Sequence, residues 1–348
     1  MPRTRLHVIP TSAPDDVRGL KQLIEAGELD PACLRAIIGK TEGNGCVNDF
    51  TRAFAVSALT QALGETAHNV AMIMSGGTEG GLSPHIMAFE KLDDRGQNED
   101  GPSLAIGSAI TPDLPPQELG RIGQIEMVAE GVRAAMHDAG IESIDDVHFV
   151  QIKCPLLTAA RVTSATITSD TLKSMGFSRG ASALGVALAL DEVTKAQAKT
   201  VRVCQDTQVW SGRASTSAGI ELACHEIVVM GMSRKWNGPL AIDHAVMADQ
   251  IDVAPVHEAM QRLGIGTTSR LAALLAKAEP GTKGQIRGAR HIMLDDSDIS
   301  ATRHARGFVG GVLAGLTGRT TLYVSGGAEH QGPDGGGTVA LISERGIT

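Results

Sequence analysis

The chain of 348 residues repeats three reactive side chains, and these are the residues best suited to chemistry. In each copy an apolar segment ends in a lysine, and a Ser/Thr-Arg pair opens a predicted helix. A second predicted strand or turn then ends in a serine followed by small residues. The members are Lys40, Lys153 and Lys277, then Arg52, Arg179 and Arg303, then Ser75, Ser217 and Ser325. A repeat of this kind indicates a site assembled from three similar parts.

The lysines and serines suggest a base and a nucleophile. Burial at the inner end of a strand lowers a lysine pKa from its ordinary value of about 10.4. A neutral lysine can take the proton of a serine hydroxyl, which is a poor nucleophile without a base. The small residues after the serines let backbone N–H groups approach a ligand oxygen, as an oxyanion hole requires. They are Gly76, Ala218 and Gly326.

The arginines and a recurring glutamate belong to the same pattern. A cation at a helix N-terminus is unfavourable unless it faces an anionic or carbonyl-rich ligand. A glutamate stands four residues after each serine, as Glu79, Glu221 and Glu329, and supports the alignment of the three copies. It is expected either to orient the lysine or to cap backbone. Any one of these features alone is more often structural, but three in register favour a binding or catalytic site.

The elements that must position these residues can also be predicted. Each copy opens with a strand and then a helix with apolar residues at helical spacing. The strands are Arg5–Ile9, Leu104–Ile110 and Leu240–Val246, and the helices are Asp16–Ala26, Leu119–Ala139 and Ala254–Leu263. Polar segments at Lys91–Ser103 and Ser233–Pro239 are predicted linkers. The resulting units, 1–100, 104–236 and 240–348, are too long for a solenoid and favour three α/β units packed around an axis.

Composition narrows the class of function. Hydrophobic residues make up 42% and charged residues 20%, which is typical of a globular protein. A net charge of −8 and only 3% aromatic residues argue against a nucleic-acid partner. No apolar run is long enough to span a membrane, and the five cysteines have no paired spacing. We expect a cytoplasmic enzyme acting on a small molecule, without a nucleic-acid or membrane partner.

Longer blocks of sequence resemble the cyanuric acid hydrolase and barbiturase family. They lie in order along nearly the whole chain, at residues 39–49 (GKTEGNGCVND), 150–157 (VQIKCPLL), 175–185 (MGFSRGASALG), 215–221 (STSAGIE), 296–306 (DSDISATRHAR) and 324–333 (VSGGAEHQGP). The resemblance implies an α/β fold of three similar repeats, arranged with pseudo-threefold symmetry into a barrel around one central active site. It also implies a homotetramer.

The resemblance further implies an activity, hydrolytic ring opening of cyanuric acid in s-triazine degradation. Carboxybiuret would form first and lose carbon dioxide to give biuret. On this view Lys153 deprotonates Ser217, which attacks a ring carbonyl, although composition and spacing alone leave the three pairs nearly equivalent. The remaining substrate contacts would come from Lys40, Arg52, Ser75, Gly76, Arg179, Ala218, Lys277, Arg303, Ser325 and Gly326.

A metal site is implied in the same way. Family resemblance places a structural Mg²⁺ or Ca²⁺ near the C-terminus, and backbone carbonyl ligands suit either ion. Glu279 would provide the side-chain ligand, with carbonyls from Ala328, Gln331, Gly332, Pro333 and Gly336. No organic cofactor is expected.

Two other readings remain open from the sequence. Barbiturase would use the same site on a ring that presents CH₂ where cyanuric acid presents NH, although the blocks above are more similar to the cyanuric branch. A non-catalytic protein could keep the pocket to bind a planar, oxygen-rich ring. Against the second reading, all three lysine, arginine and serine positions are filled. A structural scaffold without a ligand would leave the arginine-headed helices unexplained.

Overall fold

The computed structural model describes residues 1–93, 101–266 and 270–345. It contains three four-stranded sheets. Sheet 1 is built from β1 (Pro2–Pro10), β2 (Leu34–Thr41), β3 (Ala71–Gly76) and β4 (His85–Asp93). Sheet 2 is built from β5 (Ser103–Ile110), β6 (Val147–Pro155), β7 (Ala214–Gly219) and β8 (Glu226–Ser233). Residues 94–100 of the predicted linker Lys91–Ser103 lie outside the described residues.

The last part of the chain forms sheet 3 and a short hairpin. Its strands are β9 (Leu240–Met247), β10 (Leu271–Ala278), β11 (Gln285–Ile286), β12 (Ala289–Arg290), β13 (Tyr323–Gly326) and β14 (Gly337–Glu344). The hairpin consists of β11 and β12, and the other four strands make up sheet 3. The predicted opening strands and lysine strands are all present, with ends extended by at most three residues.

All three sheets have the same strand order. In sheet 1 the order is β1-β4-β2-β3, in sheet 2 it is β5-β8-β6-β7, and in sheet 3 it is β9-β14-β10-β13. Each lysine strand pairs in parallel with its serine strand and antiparallel with the last strand of its sheet. The last strands β4, β8 and β14 were not anticipated from the sequence.

This strand pairing aligns the reactive residues. Opposite each other in the parallel ladders stand Lys40 and Ser75, Lys153 and Ser217, and Lys277 and Ser325. The lysine strands are buried along most of their length, which explains their nearly continuous apolar sequences. Each lysine therefore lies beside its own serine near the end of a buried strand.

Seven α-helices accompany the sheets in the described part of the chain. They are α1 (Arg18–Glu25), α2 (Phe50–Leu63), α3 (Ile122–Ala139), α4 (Thr171–Ala189), α5 (Lys195–Thr200), α6 (Ala254–Arg262) and α7 (Ala301–Thr317). Arg52 lies in the first turn of α2, as predicted. The corresponding prediction for Arg179 is wrong, because α4 begins at Thr171, where the Asp170 side chain accepts the Lys173 N–H and caps the helix.

The largest apolar cluster joins the three sheets. It contains fully buried residues from each of them, including Ile38, Ile152 and Leu275. The α/β class is therefore confirmed. Among the described residues the hydrogen-bonded ladders remain three separate sheets and close no barrel, so the arrangement around an axis stays a prediction. None of the described helices is both long and apolar enough to cross a membrane.

Candidate active site

Two of the three Lys–Ser pairs are in direct contact. Lys40 Nζ donates to Ser75 Oγ at 3.2 Å and to the Gly76 carbonyl at 3.2 Å. Lys277 Nζ donates to Ser325 Oγ at 3.1 Å and to the Gly326 carbonyl at 3.3 Å. The two pairs meet, because the Ser75 hydroxyl donates to Ser325 Oγ at 3.2 Å.

The middle pair is arranged differently. Lys153 Nζ lies 2.7 Å from Glu221 Oε1 and donates to the Met74 carbonyl at 2.7 Å. It makes no hydrogen bond to Ser217, although the two residues are partners in the ladder. Ala218, the next residue after Ser217, is buried opposite Cys154. Lys153 is thus the one lysine of the three that pairs directly with a carboxylate.

Arginines reach these pairs from a different sheet unit. Arg179, on α4, forms two hydrogen bonds with Glu329, at 2.8 and 2.6 Å. Arg306, on α7, likewise binds both carboxylate oxygens of Glu79, with Nε 2.7 Å from Oε2. Each predicted glutamate therefore binds an arginine or a lysine of the site.

Arg52 completes this pattern with a longer contact. Its Nε lies 3.7 Å from Glu221 Oε1, too far for a hydrogen bond, and has no other hydrogen-bond partner among the described residues. Its Nη2 donates to the Cys46 carbonyl at 2.9 Å. Arg52 is almost fully buried, with 1% of its surface exposed. A buried guanidinium N–H without a partner is costly, and a ligand oxygen could satisfy it.

The third arginine of the pattern is Arg306 and not the predicted Arg303. Arg303 is half-buried, and its Nε lies 3.4 Å from the Asn44 carbonyl, whereas Arg306 is 3% exposed and pairs with Glu79. The Ser/Thr-Arg rule selected Thr302-Arg303, one helical turn too early. The Arg-Gly dipeptide shared by Arg179-Gly180 and Arg306-Gly307 is a local sequence signal that would favour Arg306 over Arg303.

Three similar groups result, which we call corners. Each has a lysine, its serine, the following glutamate and an arginine from another unit. Corner 1 contains Lys40, Ser75, Glu79 and Arg306; corner 2 contains Lys153, Ser217, Glu221 and Arg52; corner 3 contains Lys277, Ser325, Glu329 and Arg179. All the predicted lysines, serines and glutamates, and two of the three predicted arginines, are therefore brought together.

Glycines after the serines make room for the arginines. Gly77 and Gly327 have φ values of +102° and +76°, and a Cβ at either would lie 2.6 Å from the guanidinium of Arg306 or Arg179. In corner 2 the equivalent Gly219 instead lies against the Glu221 carboxylate, 2.0 Å from a Cβ position. Corner 2 therefore differs in backbone as well as in ion pairing.

Burial lowers the pKa of all three lysines. A nearby guanidinium adds to the effect in each corner, from Arg306, Arg52 or Arg179, and the pKa of Lys277 falls to about 7. In corner 2, the negative charge of Glu221 partly offsets this decrease in the pKa of Lys153. The corners thus favour neutral lysines, as a general base at neutral pH requires.

A further carboxyl group faces corner 2. Glu226, on β8, is the ladder partner of Lys153, and its Oε2 accepts the Met72 N–H at 2.9 Å. Burial raises the pKa of Glu226 to about 7. In sheet 1 the corresponding partner of Lys40 is His85. Sequence reasoning missed Glu226, because its position depends on the unanticipated strand β8.

A cavity of about 530 Å³ opens beside the corners. Its lining includes Arg179 and Arg306, together with Gly326 and Glu329. The serines themselves are buried, with Ser217 the most exposed of the three at 7%. The cavity gives a small molecule access to two of the three arginines.

Four of the six predicted metal ligands line a smaller cavity of about 80 Å³. Glu279, Ala328, Gly332 and Pro333 line it, and Glu279 Oε2 accepts the Ala328 N–H at 2.7 Å. Burial and the charge of Glu329 raise the pKa of Glu279 to about 7.

Other predicted ligands hold this turn together. Gln331 Oε1 accepts the Thr216 N–H at 2.6 Å, and Gly336 donates its N–H to the Pro333 carbonyl at 2.8 Å. Among the described residues Glu279 has no ion-pair partner. A buried carboxyl group without an ion-pair partner in contact, beside a turn rich in carbonyl groups, fits a hard divalent ion.

Comparisons with known proteins identify the family of this chain. The family model of the amidohydrolase ring-opening protein matches residues 5–344. A protein of Azorhizobium caulinodans named cyanuric acid amidohydrolase is 59% identical over 99% of both chains. A protein of the same name from Pseudomonas sp. (strain ADP) is 48% identical over 96% of this chain and 97% of its own.

Solved structures give the same result. The crystal structure of the cyanuric acid hydrolase from A. caulinodans superposes with a TM-score of 0.95 at 58% identity, covering 100% of both chains. A second cyanuric acid hydrolase structure gives a TM-score of 0.96 at 47% identity, covering 99% of this chain and 100% of the other. This chain therefore belongs to the amidohydrolase ring-opening protein family.

Proposed function

We propose that this protein is a cyanuric acid amidohydrolase that opens the ring of cyanuric acid by hydrolysis. The assignment of the substrate rests on the name shared by relatives that match nearly the whole chain at 47–59% identity. The proposed mechanism rests on the three corners, in each of which a lysine and a serine are in register.

We further propose that the three units are related by pseudo-threefold symmetry around one central site. The exchange of arginines supports this arrangement, because Arg52 reaches Glu221, Arg179 reaches Glu329, and Arg306 returns to Glu79. These contacts run from the first unit to the second, from the second to the third and from the third back to the first, as threefold symmetry requires. Cyanuric acid has three equivalent carbonyl groups, so each corner can face one of them.

Corner 2 is the best candidate for the reacting corner. In corners 1 and 3 the glutamate is held by an arginine, and the lysine donates to its serine. In corner 2 the glutamate turns to Lys153, leaving the Arg52 Nε free for a substrate oxygen. Corner 2 thus combines an oriented base with an unsatisfied buried donor.

The proposed reaction begins when neutral Lys153 takes the proton of Ser217. Ser217 Oγ then attacks a ring carbonyl carbon, and the backbone N–H groups of Ser217 and Ala218 stabilise the oxyanion. The C–N bond breaks, and the Lys153 ammonium returns the proton to the departing ring nitrogen. Water next hydrolyses the acyl-enzyme and releases carboxybiuret, which loses carbon dioxide to give biuret.

The other corners would hold the rest of the ring. Ser75 and Ser325 lie at their centre, and they are followed by Gly76, which is buried, and Gly326, which is half-buried. Lys40 and Lys277 complete the two non-reacting pairs, and Arg52, Arg179 and Arg306 bind the ring carbonyls. Arg306 thereby takes the role that the sequence pattern gave to Arg303. These contacts keep a planar ring in one orientation during attack.

The metal is part of the same proposal. Glu279 would hold Mg²⁺ or Ca²⁺ together with carbonyl oxygens of Ala328, Gln331, Gly332, Pro333 and Gly336. Because Glu329 of corner 3 lies in the same turn, the ion would fix that corner and take no part in the reaction. The homotetramer implied by the family resemblance remains a prediction.

Steady-state hydrolysis of cyanuric acid and of barbituric acid, measured side by side, tests the proposal. We expect turnover of cyanuric acid, reduced at least about 10³-fold by Ser217→Ala. The matched variants Ser75→Ala and Ser325→Ala should retain more activity, because those serines bind without forming the acyl-enzyme.

Three results would contradict parts of this proposal. A preference for barbituric acid would keep the mechanism and change the substrate. Residual turnover in Ser217→Ala would move the nucleophile to another corner. No turnover of either ring, with binding measured by calorimetry, would indicate a protein that only binds planar, oxygen-rich rings.

A further inference from the structure

Three potential metal ligands meet at the junction of sheets 2 and 3. His148 lies near the start of β6, and Asp243 and His244 are neighbours on β9. His148 precedes Lys153 by five residues on the same strand, which corresponds to about 16 Å along it. The cluster is therefore separate from the corners, and the predicted metal site at Glu279 uses none of these residues.

The ligand atoms of the three side chains converge. His148 Nδ1 and His244 Nδ1 are 3.0 Å apart, and Asp243 Oδ1 lies 3.4 Å from the first and 4.0 Å from the second. A tetrahedral ion bound at about 2.0–2.1 Å requires its ligand atoms to be about 3.3 Å apart. The three observed separations bracket that value, so small side-chain rotations would place all three atoms around one ion.

The carboxylate is already fixed in the required orientation. Asp243 Oδ2 accepts from Arg262 Nε at 2.6 Å, and Oδ1 accepts the His244 N–H at 2.7 Å. Partners of this kind orient a ligand and are typical of metal sites. Because carboxylate oxygens have more than one lone pair, Oδ1 keeps capacity for an ion.

The chemistry of these three side chains also favours one class of metal ion. Two imidazoles and one carboxylate suit zinc and its neighbours among the transition metals, whereas Mg²⁺ and Ca²⁺ prefer oxygen ligands. His148 and His244 keep 19% and 28% of their side-chain surface exposed, so an ion can enter from solvent. Water would fill the fourth position.

We propose that His148, Asp243 and His244 bind a divalent transition-metal ion of the zinc class. The ion links β6 to β9 and so joins the second and third sheets. The competing account of their close approach is a direct hydrogen bond, in which Nδ1–H of one imidazole donates to Nδ1 of the other.

Calorimetric titration with Zn²⁺ tests the site, using full-length protein treated with chelator and then kept in excess Mg²⁺. The Mg²⁺ occupies oxygen-rich sites such as the one at Glu279 and leaves imidazole sites to Zn²⁺. We expect one Zn²⁺ per chain, with affinity reduced at least tenfold in His148→Gln and in His244→Gln. His257→Gln, at an exposed histidine of α6, is the matched control and should bind as the unaltered protein does.

Two further measurements make the result decisive. Turnover of each histidine variant should be unchanged, because neither residue belongs to a corner, and unchanged turnover shows that the variant is folded. Crystals of the unaltered protein soaked in Zn²⁺ should give an anomalous peak about 2.0–2.2 Å from both Nδ1 atoms. Equal Zn²⁺ affinity in all three variants, or a soaked crystal without that peak, would leave only the histidine–histidine hydrogen bond.

Discussion

Lys153 pairs with Glu221 at 2.7 Å, whereas the equivalent glutamates of the other two corners pair with arginines. This contact breaks the similarity of the three corners. A carboxylate beside the ammonium form of Lys153 stabilises that form and also fixes the position of Nζ. The proton affinity of the proposed base is therefore set by Glu221 acting against burial and Arg52.

The first prediction concerns the pH profile of Glu221→Gln. Removing the negative charge lowers the pKa of Lys153, so the acidic limb of kcat/KM should move to lower pH. Above that limb we expect kcat to fall by up to about 10²-fold, because Nζ loses a positioning contact. Glu79→Gln is the matched control, since its carboxylate binds Arg306, and its limb should stay in place. A stationary limb in Glu221→Gln would remove Glu221 from this role.

A second prediction tests Lys153 itself. Arginine retains the positive charge but stays protonated at any working pH, so Lys153→Arg should lose turnover at least about 10³-fold. Lys40→Arg serves as the comparison from a proposed non-reacting corner and should retain more activity. Steady-state rates of both variants with folding checked by circular dichroism decide the point. If Lys153→Arg keeps turnover, the dyad is excluded.

The third prediction separates two arginines one helical turn apart. Arg306 pairs with Glu79 inside a corner, whereas Arg303 is half-buried beside a carbonyl. We expect Arg306→Lys, which keeps the charge but loses the two-point contact, to raise KM about tenfold or more, equivalent to about 1.4 kcal/mol. Arg303→Lys should leave KM within about twofold. A larger effect from Arg303 would restore it as the ring-binding arginine.

Arg306 also shows which part of the site could not be predicted from the sequence. The lysine and serine positions were predictable, because an apolar run ending in Lys40 or Lys277 is a local pattern and parallel pairing then aligns the serine. The partner of Arg306 is Glu79, 227 residues away, so the Ser/Thr-Arg pattern could not show this contact and selected Arg303. Glu226 and the His148–His244 contact depend on how β8 and β9 pack, which periodicity does not specify.

A fourth prediction concerns the metal at Glu279. Adding Mg²⁺ or Ca²⁺ should raise the melting temperature, by an amount equivalent to about 2.7 kcal/mol at 100 times Kd. Because the free Glu279 carboxyl has a pKa of about 7, protons compete with the ion, and the effect should be larger at pH 8 than at pH 6.

The matched pair for this measurement is Glu279→Gln and Glu258→Gln, the latter at an exposed position of α6. Glu279→Gln should abolish the stabilisation, and Glu258→Gln should preserve it. A metal-dependent rise that survives in Glu279→Gln would place the ion elsewhere.

The last prediction concerns Glu226, whose burial raises its pKa to about 7, against about 4.3 in an unfolded chain. Between these two values the folded state binds more protons than the unfolded state, so the free energy of unfolding falls as pH rises from about 4.3 to 7.

Glu226→Gln removes that fall in the free energy of unfolding, while its amide oxygen can still accept the Met72 N–H. Relative to the unaltered protein, the variant should therefore gain about 1–3 kcal/mol between pH 4 and pH 8. Urea denaturation at both pH values measures the difference, with Glu130→Gln as the exposed control. An identical pH dependence in both variants would mean that folding does not raise the pKa of Glu226, so that this carboxyl group is ionised beside Lys153 at neutral pH.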